Sequence, residues 1–198
     1  MKDFSPTLKG KRIELRIMEP TFDNAKIMFE AIDESRSHLI PWLKWAAKEN
    51  TPTPEVCFFM LDENKTNFEE KKTCKYGIFE KDVFLGQVML HTLSDRHNSA
   101  KLGYWLRKSA LGKGYMCDAI KLLEKEAFSG TDGLNRLVID PEERNKKSVA
   151  VAKRLNYTLD GTTRKSFLNT FDNIYVNECI FSKLKSEWEK GAKAVSDA

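Results

Sequence analysis

The chain has 198 residues, 41% of them hydrophobic and 31% charged, with a formal net charge of +4. That length suits one domain with a single core, and that composition is ordinary for a globular protein. Its lysines and arginines are spread among nearly as many acids rather than gathered into a stripe, so neither a nucleic-acid nor a membrane partner is expected. The four cysteines, Cys57, Cys74, Cys117 and Cys179, form no CxxC pair, and the three histidines show no ligand spacing. The start "MKDFSPTLKG" has no apolar signal core, and no run reaches membrane-spanning length. A cytoplasmic protein with reduced thiols is the default expectation.

In chain order, "KRIELRIM" alternates as a strand, with Ile13, Leu15 and Ile17 on one face. Pro20 ends it, and Thr21 caps a helix carrying Ala25, Met28, Phe29 and Ile32 at helical spacing. An aromatic segment, "SHLIPWLKW", follows. Thr53 and Pro54 then open a second helix, with Val56, Phe59 and Met60 inward. From Thr73 the period changes. "KYGIFE", "VFLGQVMLHTL" and "AKLGYWL" read as three strands, joined by a Lys81-Asp82 turn and a polar loop. Met116, Ile120, Leu123 and Ala127 make one face of a helix, "RLVI" is a short buried strand, and Asn145 caps "KKSVAVAKRL". Two strands turning at residues 169–173 and the helix "SKLKSEWEK" complete a mixed α/β (α+β) domain over residues 1–190, followed by a tail, 191–198.

The stretch "SALGKGYMCDA" sets two glycines at the mouth of a helix. A helix N-terminus carries unpaired N–H groups and the positive end of the helix dipole, and glycine lets an anion approach the backbone. The local pattern fits a phosphate cradle and a plain tight turn equally well. It is not a Walker loop, because Gly114 follows Lys113 where serine or threonine is needed. It is not the dinucleotide fingerprint either, because Cys117 stands where the third glycine belongs.

"AKLGYWLRKSALGKGYMCDAI", then "RLVI" and "RNKKSVAVAKRLNYTLDG", with "HLIPWLKW" upstream, resemble in order the GNAT acetyltransferases of the RimJ/RimL ribosomal-protein type. The likeness runs from about Leu8 to Trp188. It implies the GNAT fold, a mixed and mostly antiparallel sheet with helices on both faces and splayed central strands. It also implies an acetyl-CoA site. Tyr104, Trp105 and Leu106 would pair with the pantetheine arm, and a backbone N–H near Leu106 would hold the oxyanion. Leu111, Gly112, Lys113, Gly114, Tyr115 and Met116 would take the pyrophosphate, and Asn145 and Ser148 would lie near the thioester.

Three further roles follow from the resemblance. Asp160 stands at the family's carboxylate position and is the expected base, although Asp-Gly is also an ordinary turn signal. Ser148 is the expected donor to the leaving thiolate, its other reading being a helper in the helix cap. His38, Trp42 and Trp45 are expected to line the acceptor groove, with core packing as the competing role for at least one tryptophan.

The amine itself limits the chemistry. An α-amino group, with pKa about 7.7–8.0, is partly neutral at pH 7, whereas lysine, at about 10.4, is almost wholly charged. A modest base therefore suffices for a protein N-terminus. The resulting expectation is direct acetyl transfer to such an amine on a ribosomal protein, with a homodimer expected from family habit. The rivals are a small-molecule acceptor (a polyamine or an antibiotic) and a non-catalytic acyl-CoA-binding module. The acids near the aromatic segment, Asp33 and Glu34, would be the polyamine's partners.

Overall fold

A computed structural model describes residues 2–51 and 53–196. Eight strands form one sheet in the order β1-β2-β3-β4-β5-β6-β8-β7. These are β1 (Thr7–Lys9), β2 (Glu14–Arg16), β3 (Cys74–Glu80), β4 (Val83–Ser94), β5 (Ser99–Leu106), β6 (Arg136–Ile139), β7 (Thr158–Asn169) and β8 (Ile174–Leu184). Every neighbouring pair is antiparallel except β5 with β6. The helices are α1 (Phe22–Asp33), α2 (Arg36–Leu39), α3 (Pro54–Glu69), α4 (Tyr115–Phe128), α5 (Lys146–Arg154) and α6 (Lys185–Ser196).

Helices cover the sheet on both sides and bury two separate cores. Met116, Ile120, Leu123 and Ala127 of α4 pack with Leu15, Ile78, Val88 and Leu102 of the sheet. On the other side, Met28 and Ile32 of α1 and Leu61 of α3 pack with Phe79, Phe84 and Trp105. Strand alternation explains the division: Leu102 and Leu106 of β5 face one core and Trp105 the other.

Local signals set the helix starts. Thr21 accepts from the N–H of Asn24 at 3.2 Å and caps α1. Thr53 stands at the N-cap of α3, with Pro54 first in the helix. The inward face of α3 is shifted from the expected one: Cys57, Leu61 and Asn64 are buried, whereas Phe59 is 68% exposed. The tail expected from residue 191 is helical to Ser196, and residues 197–198 lie outside the described residues. Among the described residues no helix is long and apolar enough to cross a membrane.

Two features of the sheet build the site. β5 and β6 pair only through Ser99–Lys101 and Arg136–Val138, so among the described residues the far edge of β5 has no strand beside it from Leu102 onward. On the near edge, the β3–β4 ladder carries a bulge, with Ile78 opposite Gly86 and Phe79 opposite Phe84. Gly86 sits there at φ +144°, and a Cβ would stand 2.2 Å from the carbonyl oxygen of Trp105. Only glycine allows β4 to approach the end of β5 so closely.

Candidate active site

The gap between β5 and β6 opens into a cleft of about 610 Å³. Leu102–Leu106 form one wall, Ile139–Glu142 and the start of α5 form the other, and His38, Trp42, Phe167 and Glu178 complete the lining. Backbone alternation shows which groups face inward. The N–H of Arg107 bonds back to Leu85 of β4 at 2.8 Å. Trp105 therefore also turns its backbone toward β4, and Tyr104 and Leu106 turn theirs into the cleft. The Leu106 carbonyl confirms this, because it accepts from His38 Nε2 at 3.0 Å. An extended amide chain laid along β5 would find donors and acceptors there, as a strand does.

The glycine turn closes one end. Gly112 and Gly114 adopt φ +76° and +82°, and nothing lies within 4 Å of a Cβ built at either position. Conformation rather than crowding demands glycine here. Gly114 is the N-cap of α4 and supplies no side-chain cap, so the first N–H groups of α4 are left without one. Leu111 and Met116 line the cleft itself, and Lys113 and Tyr115 complete the turn at its end. Arg12 holds the turn from outside. It donates to the Lys113 carbonyl at 2.9 Å, pairs with Asp118 at 3.2 Å and lies 4.8 Å over the Tyr115 ring. Tyr115 also donates to Glu80 at 2.7 Å. The sequence carries no signal for these braces, because Arg12 meets the turn across 101 positions.

Asn145 and Ser148 meet on α5. Asn145 Oδ1 accepts from the Ser148 N–H at 3.2 Å and caps the helix. The capping role falls to Asn145, and the Ser148 hydroxyl bonds instead to the Tyr104 phenol at 2.7 Å. Burial pushes the Tyr104 pKa up to about 12, against the opposing hydrogen bond from Ser148, so the phenol keeps its proton at neutral pH. A protonated hydroxyl pair thus stands where β5 faces α5.

His38 is also held. Its Nε2 carries the proton donated to Leu106, and Nδ1 is buried with no hydrogen-bond partner among the described residues. Burial is the main cause of a pKa below the usual histidine value, so the ring is neutral near pH 7. Trp42 lines the cleft and is 37% exposed. Trp45 does not join it: it packs edge-on against Trp105 at 5.7 Å, in the core of α1 and α3.

Asp160 is the main correction. It lies outside the cleft, where its carboxylate pairs with Arg136 at 2.7 Å. Arg136 begins β6 and Ile139 reaches the cleft, a separation of about 10 Å along the strand. The ladder between β7 and β8 shifts register between Leu159 and Gly161, so Asp-Gly marks a bulge here.

The acids beside the aromatic segment are already engaged. Asp33 pairs with Arg36 at 2.8 Å. Glu34 accepts from Arg107 and from both the N–H and the hydroxyl of Ser109, at 3.1 and 2.9 Å. The Arg107 bond, reinforced by Ser109, holds the Glu34 carboxyl at about 2. A depressed folded-state pKa gives stability that is present above the ordinary carboxylate pKa and fades as pH falls toward 2. Glu34→Gln is therefore expected to cost about 1 kcal/mol at pH 7, allowing for solvent screening of a partly exposed pair. Thermal melts of both proteins should converge between pH 4 and pH 2.

Comparison with known proteins agrees with this architecture. The acetyltransferase (GNAT) domain family matches residues 12–158. The chain is 28% identical over 186 residues to YdaF of Bacillus subtilis (strain 168), covering 91% of this chain and 95% of that protein. YdaF's own description as a ribosomal N-acetyltransferase is provisional. Over 102 residues, half of this chain and 56% of the other, it is 32% identical to the ribosomal-protein-serine acetyltransferase of Escherichia coli (strain K12). Among solved structures, RimL, the ribosomal L7/L12 alpha-N-protein acetyltransferase in complex with coenzyme A, superposes with a TM-score of 0.82 at 20% identity. That match covers 91% of this chain and 99% of RimL. The microcin C7 self-immunity acetyltransferase MccE, in complex with acetyl-CoA and AMP, gives 0.81 at 24% identity, over 92% of this chain and 98% of that one. These structural likenesses establish the fold, and the family match establishes descent: the chain belongs to the GNAT acetyltransferase family.

Proposed function

We propose that this acetyltransferase uses acetyl-CoA to acetylate the N-terminal α-amine of a ribosomal protein. The observation that carries the cofactor half is the free edge of β5 running up to an uncapped glycine turn. The edge matches an amide-bearing arm and the turn matches a diphosphate. Acetyl-CoA supplies a thioester that an amine can attack. Tyr104 and Leu106 would orient the arm, Gly112–Met116 would hold the diphosphate, and the Ser148 hydroxyl, backed by Tyr104, would donate a proton toward the departing sulfur.

The acceptor half rests on YdaF, which this chain matches along nearly the whole of both proteins. Trp42 and Phe167, both exposed, line the cleft and are where a chain end would enter. A polyamine is less well supported, since Asp33 and Glu34 are tied to arginines. A ribosomal acceptor also implies action in the cytoplasm.

The test is thiol release from acetyl-CoA with unblocked peptides beginning with Ser, Ala or Met, beside spermidine and free lysine. Release with peptides is expected. Release with the small amines alone would overturn the acceptor. Ser148→Ala should lower kcat about 100-fold and leave acetyl-CoA affinity, measured by calorimetry, unchanged.

A further inference from the structure

The displacement of Asp160 leaves the arriving amine without a base, and the cleft contains a specific replacement. Four described residues on its lining carry an imidazole or a carboxylate: His38, Asp140, Glu142 and Glu178. His38 is closed on both nitrogens, since Nε2 donates to Leu106 and Nδ1 is buried away from solvent. Asp140 is paired with Lys101. Glu142 is only 9% exposed and both of its oxygens are engaged, one by Asn169 and the other by Arg144 at 2.8 Å. Among the described residues Glu178 has no ion-pair partner. Its Oε2 accepts from the neutral hydroxyl of Ser166 at 2.8 Å, leaving the second oxygen for another donor.

Its position is built. The N–H of Glu143 bonds to Asn177 and that of Cys179 to Pro141, both at 2.9 Å, setting Glu178 opposite Glu142 in a β-bridge. This places Glu178 beside the loop that leads to Asn145 and Ser148. Strand β7 bulges here, with Thr163 opposite Glu178 but Phe167 opposite Val176. Lys165 takes φ +48° in the bulge, and its N–H bonds to the Asn177 side chain at 3.0 Å. The bulge turns Ser166 onto the Glu178 carboxylate, the re-aiming of a side chain that bulges provide beside active sites.

We infer that Glu178 is the proton acceptor for the incoming amine, directly or through one water. This rests on the acetyltransferase reading above. Glu178 takes one proton from the ammonium and later releases it to solvent. The neutral nitrogen forms the C–N bond as the C–S bond of the acyl thioester breaks. The second proton lost by nitrogen is balanced by the one gained by sulfur, on the Ser148 side. Charges around Glu178 come from Glu142 and Arg144 in the adjoining loop, Lys146 and Lys147 at the start of α5, and Arg164 and Lys165 on β7.

The test is Glu178→Gln, assayed with whichever amine the wild type acetylates fastest, so that an error in the acceptor class does not count against the residue. Near pH 7, kcat should fall about 100-fold or more. The deficit should shrink above about pH 8, where an α-amine arrives already neutral. Calorimetry should show unchanged affinity for acetyl-CoA, and for the acceptor in the absence of acetyl-CoA. A wild-type kcat would overturn the inference. So would a loss of acceptor affinity that accounts for the whole rate deficit, since Glu178 would then only anchor a cation. Should E178Q fail to fold by circular dichroism, E178D carries the test: lowered kcat with the acidic limb of the pH profile retained supports the role, and unchanged kcat overturns it.

Discussion

Replacing both glycines of the turn, Gly112→Ala with Gly114→Ala, is expected to abolish tight acetyl-CoA binding while leaving the fold intact. Both positions require positive φ, which costs a residue with a Cβ about 1–2 kcal/mol each. The pair therefore loses about 3 kcal/mol if the turn keeps its shape, or on the order of 100-fold in Kd if relaxation of the turn removes its N–H groups from the anion. Open space around both positions makes the argument sharper, because a methyl group meets no protein atom and leaves the core undisturbed. Calorimetry with acetyl-CoA and with dephosphorylated pantetheine separates the two halves of the site. The diphosphate-bearing ligand should lose most of its affinity, and the arm alone should lose little. Equal affinity of variant and wild type for acetyl-CoA would show that the anion is held elsewhere.

The parts of this site that were legible in the sequence are those built locally. The cap on α5 needs only Asn145 three residues before Ser148, and the glycine turn needs only its neighbours and the helix that follows. The core face of α4 is equally visible, because Met116, Ile120, Leu123 and Ala127 repeat at helical spacing and all are buried. β1 is three residues long with a single buried side chain, Leu8, and so carries no periodicity to read. Trp42 and Trp45 look alike in "IPWLKW", and only the packing of Trp45 on Trp105 separates them.

Asp160 and Glu178 show the harder case. Both are acids on adjacent strands of one hairpin, and the resemblance pointed to Asp160, whereas the cleft lining includes Glu178. Which of them faces the cleft is decided by register, since the pairing shifts twice along β7 and each shift changes what a side chain confronts. The β-bridge to Glu142 adds a contact across 36 positions of sequence that no local pattern contains. The fold was therefore readable from periodicity and motif order, while the set of acids that line the cleft depends on bulges and long-range pairing.

The largest expected effect on stability lies in the buried ion pair between Lys183 of β8 and Glu124 of α4. Their atoms meet at 2.9 Å, with side-chain exposures of 10% and 4%, and the ammonium also lies 4.6 Å over the Tyr157 ring. The pair ties the helix that follows the glycine turn to the strand that carries Glu178. Lys183→Met should leave the Glu124 carboxylate buried without its cation and cost about 3–5 kcal/mol. For a chain of this length that is a fall in Tm of about 10 °C. Adding Glu124→Met to the same chain should restore most of the loss, because a buried pair replaced by apolar groups of similar volume is often neutral or better. Chemical denaturation of the four proteins of the cycle measures the coupling directly, and a double variant no better than Lys183→Met would refute it. Acetyl-CoA adds a separate arm. Ligand bound only to the folded state raises stability by an amount set by its concentration and Kd. An equal rise in the wild type and the double variant would mean that the pair supports α4 without shaping the turn. A smaller rise in the double variant would mean that the pair also sets the position of the turn.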